Sequence, residues 1–329
     1  MSTTFLFSTY ACSTQEALTV QIAGHSGQVR SPKEALLFDT FTEADKLFVN
    51  IQADACDVMT LAVLEALFVQ NSSLQSLWLN KVPAGFSRLL GKSGTPLEVT
   101  RQEFFQLRPL WVHNGKENIT PETWTLTKEV SHPVRPRVKP GQILYQRSLT
   151  HLGKTLRLRV ADIEKDLDIF HDWHNQPRVF DFWELNKPKE ELREYLKKGL
   201  EDPHQFPVIV EFDETSVGYF EMYWTKEDRL GPYYDSEAFD RGLHFLIGNE
   251  KFLGFANTDA ILKSVTHYLF LEEPRTRKIM AEPRSDNAKV LRYVETFTAW
   301  KKLKEFDFPH KRAALLECRR EAFFGGNFL

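Results

Sequence analysis

The sequence predicts an α/β (α+β) protein in which a mixed sheet is flanked by helices. Strand-like and amphipathic helical segments alternate through the second half of the chain, and this order is the first sign of that fold class. In the first half, Asp57–Asn71 has apolar residues at helical spacing and Ser73–Asn80 then alternates as a strand. This helix, turn and strand are similar to the unit near residue 265, which suggests two copies of one fold.

A proline-rich segment marks the predicted domain boundary. His132–Gly141 contains three prolines among basic residues and shows no hydrophobic periodicity. Prolines at this density fix an extended path and stop helices. The resulting prediction is an N-terminal domain over residues 1–131, a linker over 132–145 and a second domain over 146–329.

The elements of the second domain can be taken in chain order. Lys154–Asp162 alternates as a strand, and a helical pattern follows from Asp166 to Trp173. PVIVEFD and SVGYFEMYW form a predicted antiparallel hairpin with Asp213 and Glu214 at its turn. The remaining predictions are a strand over Gly242–Gly248, a helix over Ala260–Leu271, a short strand within Pro274–Pro283, a helix capped by Ser285 or Asp286, and a last segment that bends at Pro309.

Composition and charge exclude several classes of protein. Hydrophobic residues make up 42% and charged residues 26% of the 329 residues, as in ordinary globular proteins. The formal net charge of −3 provides no basic field, so nucleic-acid binding is not expected. Three widely spaced cysteines support neither a disulfide framework nor a zinc cluster. No signal-peptide pattern and no apolar run of membrane-spanning length occur, so we expect a cytoplasmic protein without membrane insertion.

The stretch Asp240–Leu271 contains the most informative turn. A strand that includes a histidine meets the pattern Lys-x-x-Gly-x-Ala, formed by Lys251, Gly254 and Ala256, and a long amphipathic helix follows. The first backbone N–H groups of a helix have no partners within the helix, and together with the helix dipole they bind phosphate oxygens. The pattern alone fits an ordinary strand-to-helix turn equally well.

This turn resembles the acyl-CoA pyrophosphate loop of the GNAT acyltransferases, with Lys in place of the more usual Gln or Arg. Other segments are similar, in the same order, to siderophore-biosynthesis acyltransferases, and most similar to the aerobactin-type N-hydroxylysine acetyltransferases. These segments are HDWHNQPRVFDFWE, FEMYW, DRGLHFLIG, THYLFLEEPRT, EPRSDN and KEFDFPHKR. The resemblance covers roughly residue 150 to the end. It implies a mostly antiparallel GNAT sheet there and a degenerate GNAT-like domain before it.

The resemblance implies transfer of an acyl group from acyl-CoA to the nitrogen of an N-hydroxylated amine, which produces an iron-binding hydroxamate. Acetyl-CoA and N-hydroxylysine are the expected substrates. The alternatives are a succinyl or longer donor, an acceptor such as hydroxyputrescine, hydroxycadaverine or hydroxyornithine, or a CoA-binding scaffold without activity. Other siderophore enzymes are expected as partners. The residues expected to bind acyl-CoA are Lys251, Phe252, Leu253, Gly254, Phe255, Ala256 and Asn287.

His244 and Asp286 are the predicted catalytic residues. His244 shares a strand face with Leu246 and Gly248, which lead toward the CoA loop. Spacing alone favours a buried core histidine, but the resemblance assigns this histidine a catalytic role and pairs it with Asp286. Histidine suits general base chemistry near neutral pH, so we expect His244 as the base, with the exchange of the two roles left open.

The segment from His171 to Glu184 offers groups that suit a hydroxylated amino acid. Arg178 matches a carboxylate, Glu184 an ammonium group, and Asn175 and His174 the hydroxylamine. The alternative is an amphipathic helix with a core tryptophan and solvated charges. The full predicted acceptor set is His174, Asn175, Arg178, Trp183, Glu184, Glu221 and Tyr223.

A metal site is not expected. His171 and His174 can share a helix face, but the sequence near them supplies no third ligand. Zinc sites in proteins use at least three protein ligands. The predicted transfer therefore requires acyl-CoA and no metal.

Overall fold

The computed structural model describes residues 4–51, 56–81, 83, 85–113 and 121–329. It divides the chain into two compact units. The first unit comprises Met1–Gly115, Tyr145–Thr155 and Asn327–Leu329, and the second comprises Lys116–Leu144 and Leu156–Gly326. This division differs from the predicted domains at 1–131 and 146–329, because the predicted linker at 132–145 falls almost entirely in the second unit.

The proline-rich segment is fastened to the second unit by a buried ion pair. Arg135 donates from Nε and Nη2 to the two carboxylate oxygens of Glu227, each at 2.6 Å. Its guanidinium also lies 4.3 Å from the ring centre of Trp224. Bidentate pairs of this kind are among the stronger hydrogen-bonded contacts in proteins. The predicted linker therefore contributes a buried ion pair to the second unit.

The first unit contains a seven-stranded sheet in the order β1-β2-β3-β4-β5-β6-β7. Neighbouring strands are antiparallel except β5 and β6, which are parallel. The elements are β1 (Thr4–Ala11), β2 (Glu16–Ala23), β3 (Ser26–Arg30), β4 (Ala35–Glu43), β5 (Lys46–Ile51), α1 (Asp57–Gln70), β6 (Ser76–Leu79), α2 (Phe86–Leu90), β7 (Leu97–Thr100) and α3 (Arg101–Phe104).

The remaining elements are β8 (Trp124–Thr127), β9 (Val130–Pro133), β10 (Ile143–Leu149), β11 (Lys154–Val160), α4 (Ile163–His174), α5 (Pro177–Trp183), α6 (Lys189–Glu201), β12 (Gln205–Phe212), β13 (Thr215–Trp224), β14 (Arg241–Ile247), α7 (Phe255–Glu272), β15 (Lys278–Ala281), α8 (Ala288–Thr296), β16 (Trp300–Asp307), β17 (Arg312–Arg319) and α9 (Arg320–Gly325). From β11 onward, the sheet order is β11-β12-β13-β14-β15-β17-β16. Only the β14–β15 pairing in that series is parallel.

A strand, a helix and a parallel strand follow one another in both units. In the first unit they are β5, α1 and β6, and in the second they are β14, α7 and β15. The helix in each case is largely buried. The similarity of the two regions that the sequence suggested is therefore present in the topology.

Two predicted helix starts are displaced. The helix predicted from Ala260 begins at Phe255, directly after Gly254, whose φ of 128° is a conformation that glycine adopts readily. The helix predicted to be capped by Ser285 or Asp286 begins at Ala288, and the side chain of Asn287 caps it by accepting from the Val290 N–H at 3.3 Å. The predicted cap is wrong because Arg284 binds the Asp286 carboxylate instead.

The parallel pairing of β14 with β15 is short and ends before the predicted catalytic histidine. β14 and β15 pair through Arg241 with Ile279 and through Gly242 with Met280. The other edge of β14 pairs with β13 over its full length. His244 thus lies just beyond the paired part of the two parallel strands, and Glu282 follows directly after β15.

Within the residues that the structure describes, none of the helices has the length and hydropathy needed to cross a membrane.

Candidate active site

His244 lies between two glutamates. Glu221 is its direct partner across the β13–β14 pairing, and the Glu221 Oε2 atom lies 3.0 Å from His244 Nδ1. On the other side, Glu282 Oε1 lies 2.7 Å from His244 Nε2. Both carboxylates are buried, whereas the His244 side chain remains 24% exposed. The histidine is therefore the member of this triad through which solvent or a substrate can reach the two acids.

Three tyrosines complete the hydrogen bonding of the two carboxylates. The hydroxyls of Tyr195 and Tyr219 donate to Glu221 Oε1 at 2.6 and 3.2 Å. The hydroxyl of Tyr223 donates to Glu282 Oε2 at 2.6 Å. Buried carboxylates are stable in the charged form only when such partners are present. The network thus supports two negative charges beneath the histidine.

The two carboxylates make His244 a cation at neutral pH. Burial disfavours its charge, but Glu282 and Glu221 outweigh that effect and raise its pKa to about 10. Burial likewise opposes ionisation of Glu282, yet the charge and hydrogen bond of His244 lower the Glu282 pKa to about 2. Glu221 also has a lowered pKa, because His244 outweighs the effect of burial there too. An imidazolium has no free lone pair, so His244 in this state does not fit the predicted free base.

The predicted pairing of His244 with Asp286 is not present. The carboxylate of Asp286 accepts from Arg284 Nε at 3.0 Å and from Arg284 Nη2 at 2.8 Å, and its side chain is 65% exposed. Glu282, four residues earlier, takes the place expected for Asp286. The segment EPRSDN thus contacts the histidine through its first acid, Glu282, and not through Asp286.

His174 is buried instead of lining an acceptor site. Its Nδ1–H donates to the main-chain oxygen of Phe170 at 2.9 Å. Burial lowers its pKa to about 4, so the ring is neutral. The ring of Trp183 lies edge-on to both histidines, with centroid distances of 5.3 Å to His174 and 6.4 Å to His244. His174 therefore packs against Trp183 from a buried position, which does not fit the predicted contact with a hydroxylamine.

Two other predicted acceptor residues are engaged by the main chain. Arg178 donates to the carbonyl oxygens of Ile247 and Gly248 at 2.8 and 2.6 Å. Asn175 donates to the carbonyl oxygen of His171 at 2.9 Å. Arg178 thus holds the end of β14 instead of presenting its full guanidinium to a carboxylate. Glu184 is exposed, as an ammonium ligand would need to be.

The predicted CoA loop borders an apolar cavity of about 480 Å³. The loop joins β14 to α7, and the first turn of α7 contains no acidic residue. Of the predicted CoA residues, Leu253, Phe255 and Asn287 line this cavity, as do Arg178 and Trp183 from the predicted acceptor set. The basic residues Lys289 and Arg292 of α8 also border it. The arrangement suits a long ligand with an apolar portion and an anionic portion.

The described part of the chain contains no group of three or more His, Cys, Asp or Glu side chains arranged to hold a metal ion. In the triad, the two glutamates form hydrogen bonds with the histidine and with the three tyrosines.

Residues 162–308 match the model of the acetyltransferase (GNAT) domain family. A putative lysine N-acyltransferase of Schizosaccharomyces pombe is 35% identical over 283 residues, which cover 82% of each chain. An N(6)-hydroxylysine O-acetyltransferase of Escherichia coli is 38% identical over 227 residues, covering 69% of this chain and 71% of the relative. An N(5)-hydroxyornithine:cis-anhydromevalonyl coenzyme A-N(5)-transacylase of Beauveria bassiana is 42% identical over 196 residues, covering 59% and 43%.

The residues matched by the domain model include the whole triad and the β14–α7–β15 crossover. The GNAT fold predicted for the second half of the chain is thereby confirmed. The sheet and helices of the first unit are compatible with a second, tandem GNAT-like domain.

Proposed function

Since the chain belongs to the GNAT acyltransferases of siderophore biosynthesis, we propose that it transfers an acyl group from acyl-CoA to the nitrogen of an N-hydroxylated amine. The observation that carries the proposal is the position of the His244 ring, which is held between two buried glutamates on the strand that leads into the predicted CoA loop. Acetyl-CoA and N6-hydroxylysine are the proposed substrates, and the product is a hydroxamate.

Acyl-CoA is the proposed donor because the loop and the cavity offer complementary surfaces. The free N–H groups at the start of α7 and the side chain of Lys251 suit the pyrophosphate. The apolar cavity of about 480 Å³ suits the pantetheine arm. The name of the Beauveria bassiana relative includes a coenzyme A thioester as its donor, which supports the same class of donor here.

His244 is proposed to carry a proton between the two reacting atoms. When the hydroxylamine nitrogen attacks the thioester carbon, the C–N bond forms and the carbonyl electrons move to oxygen, where the nearby positive charge stabilises them. When the C–S bond then breaks, His244 gives a proton to sulfur and takes the proton that nitrogen must lose. The ring returns to its initial state, and all atoms balance.

The proton transfer to sulfur has a moderate cost. A thiol has an ordinary pKa of about 8.5, whereas the pKa of His244 is about 10. Moving the proton from the histidine to the thiolate therefore costs about 2 kcal/mol. This cost is small beside the stabilisation that a positive charge provides to a developing oxyanion in a site sheltered from water.

The proposed acceptor is a hydroxylamine, and its nitrogen is the atom proposed to receive the acyl group. A hydroxylamine is a weaker base than an alkylamine, so more of it is unprotonated and nucleophilic at neutral pH. The names of the relatives differ in acceptor and in the acylated atom, with hydroxylysine and an O-acetyltransferase in one case and hydroxyornithine and an N(5)-transacylase in another. We favour nitrogen here because only N-acylation produces a hydroxamate.

The test is release of CoA thiol by the purified protein with acetyl-CoA or succinyl-CoA as donor. The acceptors are N6-hydroxylysine, N-hydroxycadaverine and lysine, and the product is examined for the colour of its iron(III) complex. We expect release that requires the N-hydroxyl group, together with a coloured complex. Release without the colour would indicate O-acylation. Absence of release with every pair would refute the proposed activity, and CoA binding would then favour a scaffold.

A further inference from the structure

Two basic side chains lie beside Glu282 and are not needed for the proton transfer. Arg229 belongs to the loop between β13 and β14, and Lys311 to the turn between β16 and β17. Arg229 Nη2 and Lys311 Nζ each lie 3.8 Å from Glu282 Oε1, the same atom that lies 2.7 Å from His244 Nε2. The Arg229–Lys311 pair and His244, the proposed proton carrier, therefore contact the same carboxylate oxygen of Glu282.

The guanidinium of Arg229 has donors available for a ligand. Its side chain is 51% exposed, and it makes no hydrogen bond to any residue in the part of the chain that the structure describes. It lies 5.7 Å from the ring centre of Phe308, which holds the side chain against the second unit. Lys311 also packs near this ring, at 5.6 Å, and donates to the main-chain oxygen of Glu282 at 2.7 Å.

The charge of Glu282 neutralises only part of this pair. Glu221 and Glu282 carry two negative charges and His244 one positive charge, so the triad leaves one negative charge against the two positive charges of Arg229 and Lys311. Burial lowers the pKa of Lys311, the charge of Glu282 opposes this effect, and the charge of Arg229 lowers the pKa by a smaller amount. A bound anion would balance the positive charge that Glu282 leaves uncompensated.

The pair does not belong to the cavity assigned to CoA. None of the residues that line the cavity is Arg229, Lys311 or a member of the β16–β17 turn. The CoA loop follows the last residue of β14, whereas the loop that holds Arg229 precedes the first residue of that strand. The pair and the CoA loop thus lie toward opposite ends of β14, with His244 between them.

We propose that the Arg229–Lys311 pair binds the carboxylate of the acceptor, which is therefore a hydroxylated amino acid and not a hydroxylated diamine. This inference rests on the proposed function. Guanidinium groups bind carboxylates through two parallel hydrogen bonds, and each such charged bond is stronger than a neutral one. An extended lysine or ornithine side chain would place the hydroxylamine toward His244 while its carboxylate remains on Arg229.

Glu184 is exposed and is the acid that the sequence predicts as the partner of an ammonium group. A carboxylate on Arg229 and an ammonium group near Glu184 would match the two charges of an amino acid. The carboxylate role predicted for Arg178 is thereby assigned to Arg229.

The experiment is calorimetric binding in the presence of unacylated CoA, so that no transfer occurs. Two pairs of acceptors are compared, N6-hydroxylysine with N-hydroxycadaverine and N5-hydroxyornithine with N-hydroxyputrescine. The members of each pair differ only in the carboxylate. We expect the amino acid of at least one pair to bind the wild-type protein about tenfold tighter or more than its diamine. Arg229→Gln should remove most of this preference, and Arg229→Lys should retain part of it.

Arg312→Gln is the matched control, because Arg312 directly follows Lys311 at the start of β17 and is an exposed cation that is paired with Glu305 and Asp307. The control should keep the full preference. The inference is overturned if the wild-type protein binds both members of each pair equally, if Arg229→Gln weakens both equally, or if it weakens CoA itself. Thiol release, measured separately, distinguishes the two proposals: release without a carboxylate preference refutes this inference alone, and a preference without release refutes the activity alone.

Discussion

Each unit buries a glutamate beside its strand–helix–strand crossover, and the pKa values of the two carboxyl groups are shifted in opposite directions. Glu65 lies on α1 of the first unit, where its Oε1 accepts from the indole N–H of Trp111 at 3.1 Å. Burial raises its pKa above the usual value, although the charge on Arg147 opposes the change. Glu282 follows β15 in the second unit, and His244 lowers its pKa to about 2 in spite of burial. A cationic partner in hydrogen-bond contact thus separates the two cases.

The hairpins that precede the two crossovers also differ in the burial and ionisable character of their facing polar residues. In the second unit, Glu221 and His244 face each other across β13 and β14 and belong to a network of buried ionisable groups. In the first unit, Asp39 and Asn50 face each other across β4 and β5, and the amide of Asn50 donates to Asp39 at 3.1 Å on the surface. The shared topology therefore does not by itself create a reactive site, which depends on the side chains placed on it.

Replacement of the central histidine should give the largest effect. His244→Ala removes the proton carrier and the positive charge, and we expect kcat/KM for thiol release to fall by about 100-fold or more. CoA affinity, measured by calorimetry, should change by less than about threefold. Asn50→Ala is the matched change in the hairpin of the first unit and should leave both quantities unaltered. Equal losses for the two variants would show that the two hairpins contribute alike.

Exchange of the acid beside the histidine should give the next largest effect. Glu282→Gln keeps the shape of the side chain and removes the charge that raises the His244 pKa, so this pKa should fall well below 10 in an NMR titration. We expect kcat/KM to fall by about tenfold or more. Asp286→Asn, four residues away, should change the His244 pKa and the rate little. The reverse result would restore Asp286 as the partner of His244.

The sequence predicts only part of this site. The strands that hold Glu221 and His244 were predicted because alternation is a local pattern. The choice between Glu282 and Asp286 depends on where β15 pairs with β14, which is a contact between distant parts of the chain. The structure does not favour the role predicted for Arg178 for a similar reason, since main-chain oxygens at the end of β14 occupy two of its donors. The helix start at Phe255 depends on the φ of Gly254, which residue type permits but does not dictate.

A change in the CoA loop should produce an intermediate effect. Gly254 has a φ of 128° and directly precedes α7. A Cβ there meets no neighbouring atom, so the strain of Gly254→Val arises from the backbone conformation. We expect the loop to shift and CoA to bind about tenfold more weakly in calorimetry. Gly91→Val is the control in the first unit, where Gly91 has a φ of 63° and an equally open environment. It should lower stability without altering CoA affinity, and equal affinities for both variants would argue against a phosphate site at Gly254.

The effects of the two buried glutamates on the free energy of unfolding should differ in sign. Glu282 has a lowered pKa, so its charge stabilises the folded protein above its ordinary pKa of 4.5, and this contribution is lost as the pH falls toward about 2. Glu65 has a raised pKa, so its contribution to the stability of the folded protein is greatest below pH 4.5 and declines as the pH rises. At pH 7, Glu282→Gln should therefore lower the free energy of unfolding by up to about 3 kcal/mol. Glu65→Gln should leave it unchanged or raise it by about 1 kcal/mol or less.

Hydrogen exchange of the backbone amides of β14 and α1 measures the two units separately. On acidification from pH 7, the deficit of Glu282→Gln should shrink between pH 4.5 and about 2, because the wild-type carboxylate then becomes protonated. Any advantage of Glu65→Gln should shrink as well, since the wild-type carboxyl group is then neutral in both the folded and unfolded states. If both variants lost stability at pH 7 by similar amounts, Glu65 would also be ionised, and a cation such as Arg147 would stabilise it as His244 stabilises Glu282.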